Sequence, residues 1–142
     1  MVELKDIQDA AERLSSIIVR TPLLSSPVLD ELTGGRVLLK AENLQRTGSF
    51  KIRGAYNLLS QLTPGQAEKG VVAFSSGNHA QAVAAAGTML GIDTTIVMPE
   101  DSPKIKIENT RKLGGTTVLY DRYTEDREEI AKAIVEERGC AL

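Results

Sequence analysis

A lysine stands where a helix is predicted to begin, in the segment TGSFKIRGA of residues 47–55. Ser49 is a suitable N-cap residue, which places Lys51 in the first turn. The helix dipole disfavours a cation there by about 0.3–1 kcal/mol, and Arg53 adds a like charge. A lysine kept as the neutral amine is a nucleophile that can form a Schiff base with a carbonyl compound. The alternative is a solvated lysine on an exposed helix start, and this segment alone leaves both open.

A second polar segment, SSGNH at residues 75–79, follows a predicted strand and opens a predicted helix. Ligands collect at the carboxyl ends of parallel strands, and hydroxyls of Ser75 and Ser76 beside free helix N–H groups suit a carboxylate. Gly77 permits the tight turn, and Asn78 supplies an amide donor. The helix dipole is expected to lower the pKa of His79 and keep it neutral. The alternative is an ordinary turn with a serine cap.

The elements that position these segments alternate along the chain. Strands are predicted at 71–74, 94–98 and 116–120, and helices at 78–90, 103–113 and 124–138. Before them, we predict a helix over 2–19, a short helix or turn over 27–35 and a strand over 37–39. The alternation predicts an α/β fold, with a parallel, Rossmann-like sheet inside a three-layer αβα arrangement.

Composition excludes several classes of function. The 142 residues carry a net charge of −2, which provides no basic surface for nucleic acid. One cysteine and one histidine exclude an internal disulfide and argue against a Cys/His metal site, so we expect no metal. No apolar run approaches the roughly 20 residues of a membrane helix, and no secretory signal is visible. We therefore expect a soluble, cytoplasmic protein without a membrane or nucleic-acid partner.

Three segments in order resemble one enzyme family. They are KAENLQ at 40–45, SFKIRGA at 49–55 and SSGNHAQ at 75–81. Together they resemble the threonine dehydratase and serine racemase family of pyridoxal-phosphate enzymes, of fold type II. The resemblance extends to RTPL at 20–23, VMP at 97–99 and PKIK at 103–106. It implies the fold of the N-terminal portion of such an enzyme.

The resemblance also implies roles for individual residues. Lys51 would hold pyridoxal phosphate as a Schiff base, Phe50 would line one side of its ring, and Asn78 would hydrogen-bond its 3′-oxygen. The loop Ser75, Ser76, Gly77, Asn78 and His79 would bind the substrate carboxylate. Lys51 and Ser76 are the implied catalytic residues. Ser76 either protonates the face of Cα opposite Lys51, as in racemase-like members, or only binds carboxylate.

The implied reaction is β-elimination of L-threonine or L-serine to a 2-oxoacid and ammonia, in amino-acid metabolism such as isoleucine biosynthesis. From the residues alone, a second function stays open: a non-catalytic α/β module that binds a carboxylate or phosphate at residues 75–79. Replacing Lys51 by alanine separates the two, because a binding module keeps its ligand.

The resemblance predicts a division of the chain. Residues 1–43 would belong with the large domain of the family, and residues 44–142 would form the small α/β domain. Family members continue beyond the position of Leu142 into a glycine-rich loop that binds the cofactor phosphate. We therefore expect the N-terminal part of a longer enzyme, with weak cofactor binding by itself, exposed apolar surface and a homo-oligomeric state.

Overall fold

The computed structural model describes residues 1–142, and its first part holds two helices and a small antiparallel sheet. The elements are α1 (Leu4–Leu14), β1 (Leu23–Ser25), α2 (Pro27–Thr33) and β2 (Leu38–Lys40). Leu24 pairs with Leu39 at the centre of the sheet. The predicted first helix was too long, because the chain leaves α1 at Ser15, whose hydroxyl donates to the Glu12 carbonyl. Strand β1 was not predicted.

Two short 3₁₀ turns, at Glu42–Leu44 and Arg46–Gly48, lead into α3 (Lys51–Leu59). The predicted N-cap at Ser49 is wrong. Its backbone is extended, but the helix begins after Phe50 and the Ser49 hydroxyl makes no hydrogen bond. A further helix, α4 (Pro64–Lys69), follows and was not predicted.

The rest of the chain confirms the predicted alternation of strands and helices. It forms β3 (Val71–Phe74), α5 (Asn78–Leu90), β4 (Thr94–Pro99), α6 (Lys104–Lys112), β5 (Thr116–Tyr120) and α7 (Arg127–Arg138). The three strands pair in parallel in the order β3-β4-β5. Their carboxyl ends therefore share one edge, where the loops that follow them meet.

Helices cover both faces of this sheet, which confirms the three-layer αβα fold. On one face, Ile96 and Met98 of β4 are fully buried against α3 and α5. On the other face, Val97 packs with Ala131 of α7. Successive residues of β4 thus face opposite layers, as a strand buried on both sides requires.

None of the helices is long and apolar enough to cross a lipid bilayer. No group of three or more histidine, cysteine, aspartate or glutamate side chains is placed to hold a metal ion. Cys140 is buried and unpaired.

Candidate active site

Lys51 is the first residue of α3 and its side chain is exposed. Its Nζ lies 4.9 Å from the centroid of the Phe50 ring, and Phe50 is 57% exposed. Arg53 does not add a free positive charge beside this amine, contrary to the expectation from sequence. Its guanidinium binds Glu42 with distances of 2.8 and 2.9 Å. The amine therefore stands at a helix start, next to an aromatic ring that is open to a ligand.

His79 lies near Lys51 because α3 packs against α5. The pKa of His79 is lowered below 6.5, first by partial burial and second by the positive charge of Lys51. The direction agrees with the expectation from sequence, but its causes in the structure are burial and Lys51 rather than the predicted helix dipole. A neutral imidazole beside the Lys51 amine can accept or donate a hydrogen bond without adding charge to the site.

Asn78 opens α5, and its amide has a defined orientation. The ammonium of Lys106 on α6 donates to Asn78 Oδ1 at 2.8 Å. An ammonium only donates, so Oδ1 faces Lys106 and the Nδ2 donors face other partners. Sequence reasoning did not assign Lys106 to the site. The available signal was its place just after β4, at the same sheet edge as the loop 75–79.

The loop 75–79 leaves the start of α5 without a side-chain cap. Gly77 is the N-cap residue of α5, and no side chain caps the helix. The Ser75 hydroxyl instead accepts from the Gly77 N–H at 3.3 Å, and the Ser75 N–H donates to Val97 at 3.0 Å. A Cβ at Gly77 would have no neighbour within 4 Å. The alternative prediction of a turn with a serine cap is therefore wrong. The N–H groups at the start of α5 have no side-chain partner.

A crevice of about 360 Å³ opens at the carboxyl ends of the three parallel strands. Ser75 and Ser76 line it together with Arg122 and Arg127. The other lining residues are Pro99, Tyr120, Glu125, Asp126 and Glu128. The Arg127 guanidinium lies 5.1 Å from the Phe74 ring centroid, whereas Arg122 binds Asp101 at 2.6 Å. The crevice thus presents serine hydroxyls beside two arginines and three carboxylates.

Two hydroxyls next to the lysine lack partners. Thr47 Oγ1 and Ser49 Oγ are buried and make no hydrogen bond. Buried hydroxyls are normally satisfied, so these groups fit a polar ligand that is bound beside them. Together with the Lys51 amine, the Phe50 ring and the Asn78 amide, they fit part of a pyridoxal-phosphate site.

These features define a class, an α/β protein with an exposed lysine at one helix start and an uncapped, serine-flanked helix start near it. Residues 14–142 match the family model described as pyridoxal-phosphate dependent enzyme. The chain belongs to this family of pyridoxal-phosphate dependent enzymes, which confirms the resemblance and the expected cofactor class.

Its relatives are ammonia-lyases and racemases. An L-threo-3-hydroxyaspartate ammonia-lyase of Pseudomonas sp is 53% identical over 96% of this chain and 43% of that protein. The L-threonine ammonia-lyase of Thermotoga maritima is 48% identical over 100% of this chain and 35% of its own length. The structure of maize serine racemase superposes with a TM-score of 0.94 at 40% identity, over 99% of this chain and 43% of that one. The chain spans less than half the length of these relatives.

Proposed function

We propose that this chain supplies the lysine-bearing part of a pyridoxal-phosphate-dependent ammonia-lyase that acts on a β-hydroxy amino acid. The products are a 2-oxoacid and ammonia. The observation that carries the proposal is the juxtaposition of the Lys51 amine with His79 in the first turn of α5. A non-catalytic carboxylate module does not require a lysine at that place.

The chain's own residues have distinct tasks in this proposal. Lys51 would hold the cofactor covalently and, once released, its Nζ would accept the proton from the substrate Cα. Phe50 would cover one side of the cofactor ring, and Asn78 Nδ2 would donate to the ring oxygen. The bound cofactor supplies an electron sink for the carbanion that proton removal creates.

The loop at 75–79 would bind the substrate carboxylate. The hydroxyls of Ser75 and Ser76, with the N–H groups in the first turn of α5 after Gly77, provide donors of the required kind. Asn78 and His79 complete the loop. The neutral imidazole of His79 adds no charge beside the bound carboxylate. Ser76 either protonates Cα from the second face, which gives racemase activity, or only binds the carboxylate.

Threonine and serine are the proposed substrates, and 3-hydroxyaspartate is a second candidate. One observation favours 3-hydroxyaspartate. Arg127 lines the same crevice as Ser76, and its guanidinium can bind the second carboxylate of that substrate. The name of the Pseudomonas relative is consistent with such a substrate. A place in isoleucine biosynthesis follows only if threonine is the substrate.

We extend the proposal to the parent assembly. Residues 1–43 would pack with a large domain and residues 44–142 would form the small one, in a cytoplasmic homo-oligomer. The share of each relative that the chain spans, 35–43%, supports a partial catalytic unit.

The test is formation of 2-oxoacid and ammonia from threonine, serine and threo-3-hydroxyaspartate by the enzyme that contains this chain, with pyridoxal phosphate present. We expect activity to disappear in Lys51→Ala and to persist in Lys69→Ala, a control on α4. Arg127→Gln should weaken the use of 3-hydroxyaspartate more than that of threonine. Carboxylate binding that Lys51→Ala leaves intact, without turnover by the unsubstituted enzyme, would favour the binding module.

A further inference from the structure

The segment that carries Lys51 is a strained loop between two charged residues. Glu42 begins the first 3₁₀ turn and Arg53 lies in the first turn of α3. Between them, Thr47 has a φ of 63°, the single positive value at a non-glycine residue in the chain, and Gly48 has a φ of 70°. Such backbone persists when surrounding contacts hold it. The contacts that hold this loop therefore decide where the Lys51 amine lies.

Glu42 and Arg53 join the two ends of the loop. Arg53 Nη2 lies 2.8 Å from Glu42 Oε1, and Arg53 Nε lies 2.9 Å from Oε2, a bidentate pair. The Thr21 hydroxyl donates to Glu42 Oε1 at 2.5 Å, and Lys40 Nζ donates to the Thr21 carbonyl at 2.6 Å. Only 18% of the Glu42 side chain and 30% of the Arg53 side chain are exposed. Both carboxylate oxygens are thus satisfied within a mostly buried network.

Gln45 anchors the middle of the loop to the N-terminal segment. Its buried amide accepts from the Val19 N–H at 2.9 Å and donates to the Val19 carbonyl at 2.7 Å. The same oxygen accepts from the Arg46 N–H at 2.9 Å. The loop is therefore attached to residues 17–21 by its middle and by Glu42, and to α3 by Arg53.

We infer that the Glu42–Arg53 ion pair is a positioning device that holds the loop so that the Lys51 amine faces the start of α5. The inference rests on the proposed function, because it takes Lys51 as the residue that holds the cofactor. Glu42 and Arg53 touch neither cofactor nor substrate in this account. Their effect on the reaction passes through the position of Lys51.

Glu42 and Arg53 are both charged, which strengthens their hold on the loop. The pKa of Glu42 is lowered to about 2, chiefly by its hydrogen bond with Arg53, and burial opposes this shift. The carboxylate therefore stays ionised across the pH range in which a lyase would work. If Glu42 becomes neutral, Arg53 is left partly buried without its partner, which is costly. The guanidinium would then move towards solvent, and the start of α3 would move with it.

The test compares Glu42→Gln with the unsubstituted chain through the probe pyridoxal phosphate. The first readout is the rate of labelling at Lys51 after borohydride reduction and peptide mapping. We expect a loss of about tenfold or more in Glu42→Gln, since small displacements of a reacting group cost large rate factors. Glu42→Asp, which keeps the negative charge beside Arg53, Thr21 and Lys40, should retain more of the rate than Glu42→Gln. Asp9→Asn removes the Lys5–Asp9 pair on α1, also 2.8 Å long, and should change nothing.

A second readout does not depend on the cofactor. The Gly48 N–H donates to the Gln45 carbonyl at 2.8 Å inside the loop. Its hydrogen exchange should become about tenfold faster in Glu42→Gln, whereas exchange at Ile96 in the buried strand β4 should not change.

Each outcome decides a different claim. Normal Lys51 labelling in Glu42→Gln, with selective labelling of the unsubstituted chain, overturns the positioning role and leaves the proposed function intact. Scattered labelling of the unsubstituted chain removes the proposed function instead. In that case the Gly48 hydrogen-exchange rate alone tests the ion pair. An unchanged rate in Glu42→Gln overturns the role of the pair in holding the loop.

Discussion

At the scale of single residues, the site depends on a few groups whose charges affect each other. The segments 47–55 and 75–79 could be identified from sequence, because lysine, serine and asparagine at helix starts indicate specific chemistry. Their partners could not be identified. The Lys106–Asn78 and Arg53–Glu42 contacts depend on tertiary packing, over separations that no local pattern encodes. The catalytic and binding roles assigned to individual residues stay predictions.

The single histidine makes one of these couplings measurable. Because burial and the Lys51 charge both lower the pKa of His79, Lys51→Met should raise it. It should remain below 6.5, since burial is the larger cause and stays in place. NMR titration of the imidazole C–H signal measures this directly, as His79 has no histidine neighbour to confuse it. The same titration midpoint in both proteins would show that Lys51 does not act on His79, which would count against the proposed site.

At the scale of elements, the α/β alternation was predictable and the element ends were less so. Helix α5 begins and ends where predicted, because the Gly77 turn and Gly91 mark its limits. Helix α7 begins later than predicted, since Asp126 caps it by accepting from the N–H groups of Glu128 and Glu129. The short elements β1 and α4 lack the periodic pattern that reveals longer ones.

Close packing of α5 on the sheet gives a prediction about stability. A Cβ at Gly87 would lie 2.3 Å from Thr94 Cγ2 and 2.7 Å from the Ile92 carbonyl oxygen. Gly87→Ala should therefore destabilise the fold by about 1–3 kcal/mol. Gly54→Ala in α3, where a Cβ meets nothing within 4 Å, should stabilise it by about 0.5–1 kcal/mol. Urea unfolding compares the two, and equal effects would contradict the packing described for α5.

At the scale of the whole molecule, the N-terminal part exposes apolar surface on both sides of the β1–β2 sheet. Leu24 and Leu39, which pair directly, are 48% and 46% exposed, and Leu23 and Leu38 are 57% and 45% exposed. Leu32 on α2 is 76% exposed. Exposed apolar surface of this kind favours association. Composition and periodicity predicted a soluble fold but not where such surface would lie.

We accordingly predict that the chain self-associates as its concentration rises. Sedimentation should show a shift towards dimers or larger species, and Leu24→Ser with Leu39→Ser should reduce it. Leu58→Ser, a control on α3 with 61% exposure, should reduce it less. A monodisperse monomer at every concentration would count against this surface as a contact region.

The most direct test of the central claim is the visible spectrum of the chain with added pyridoxal phosphate, followed by borohydride reduction and mapping of the modified lysine. If Lys51 holds the cofactor, an absorption band forms that an added β-hydroxy amino acid reverses, and the modification is concentrated at Lys51. Labelling spread over the other exposed lysines, or none at Lys51, would contradict it.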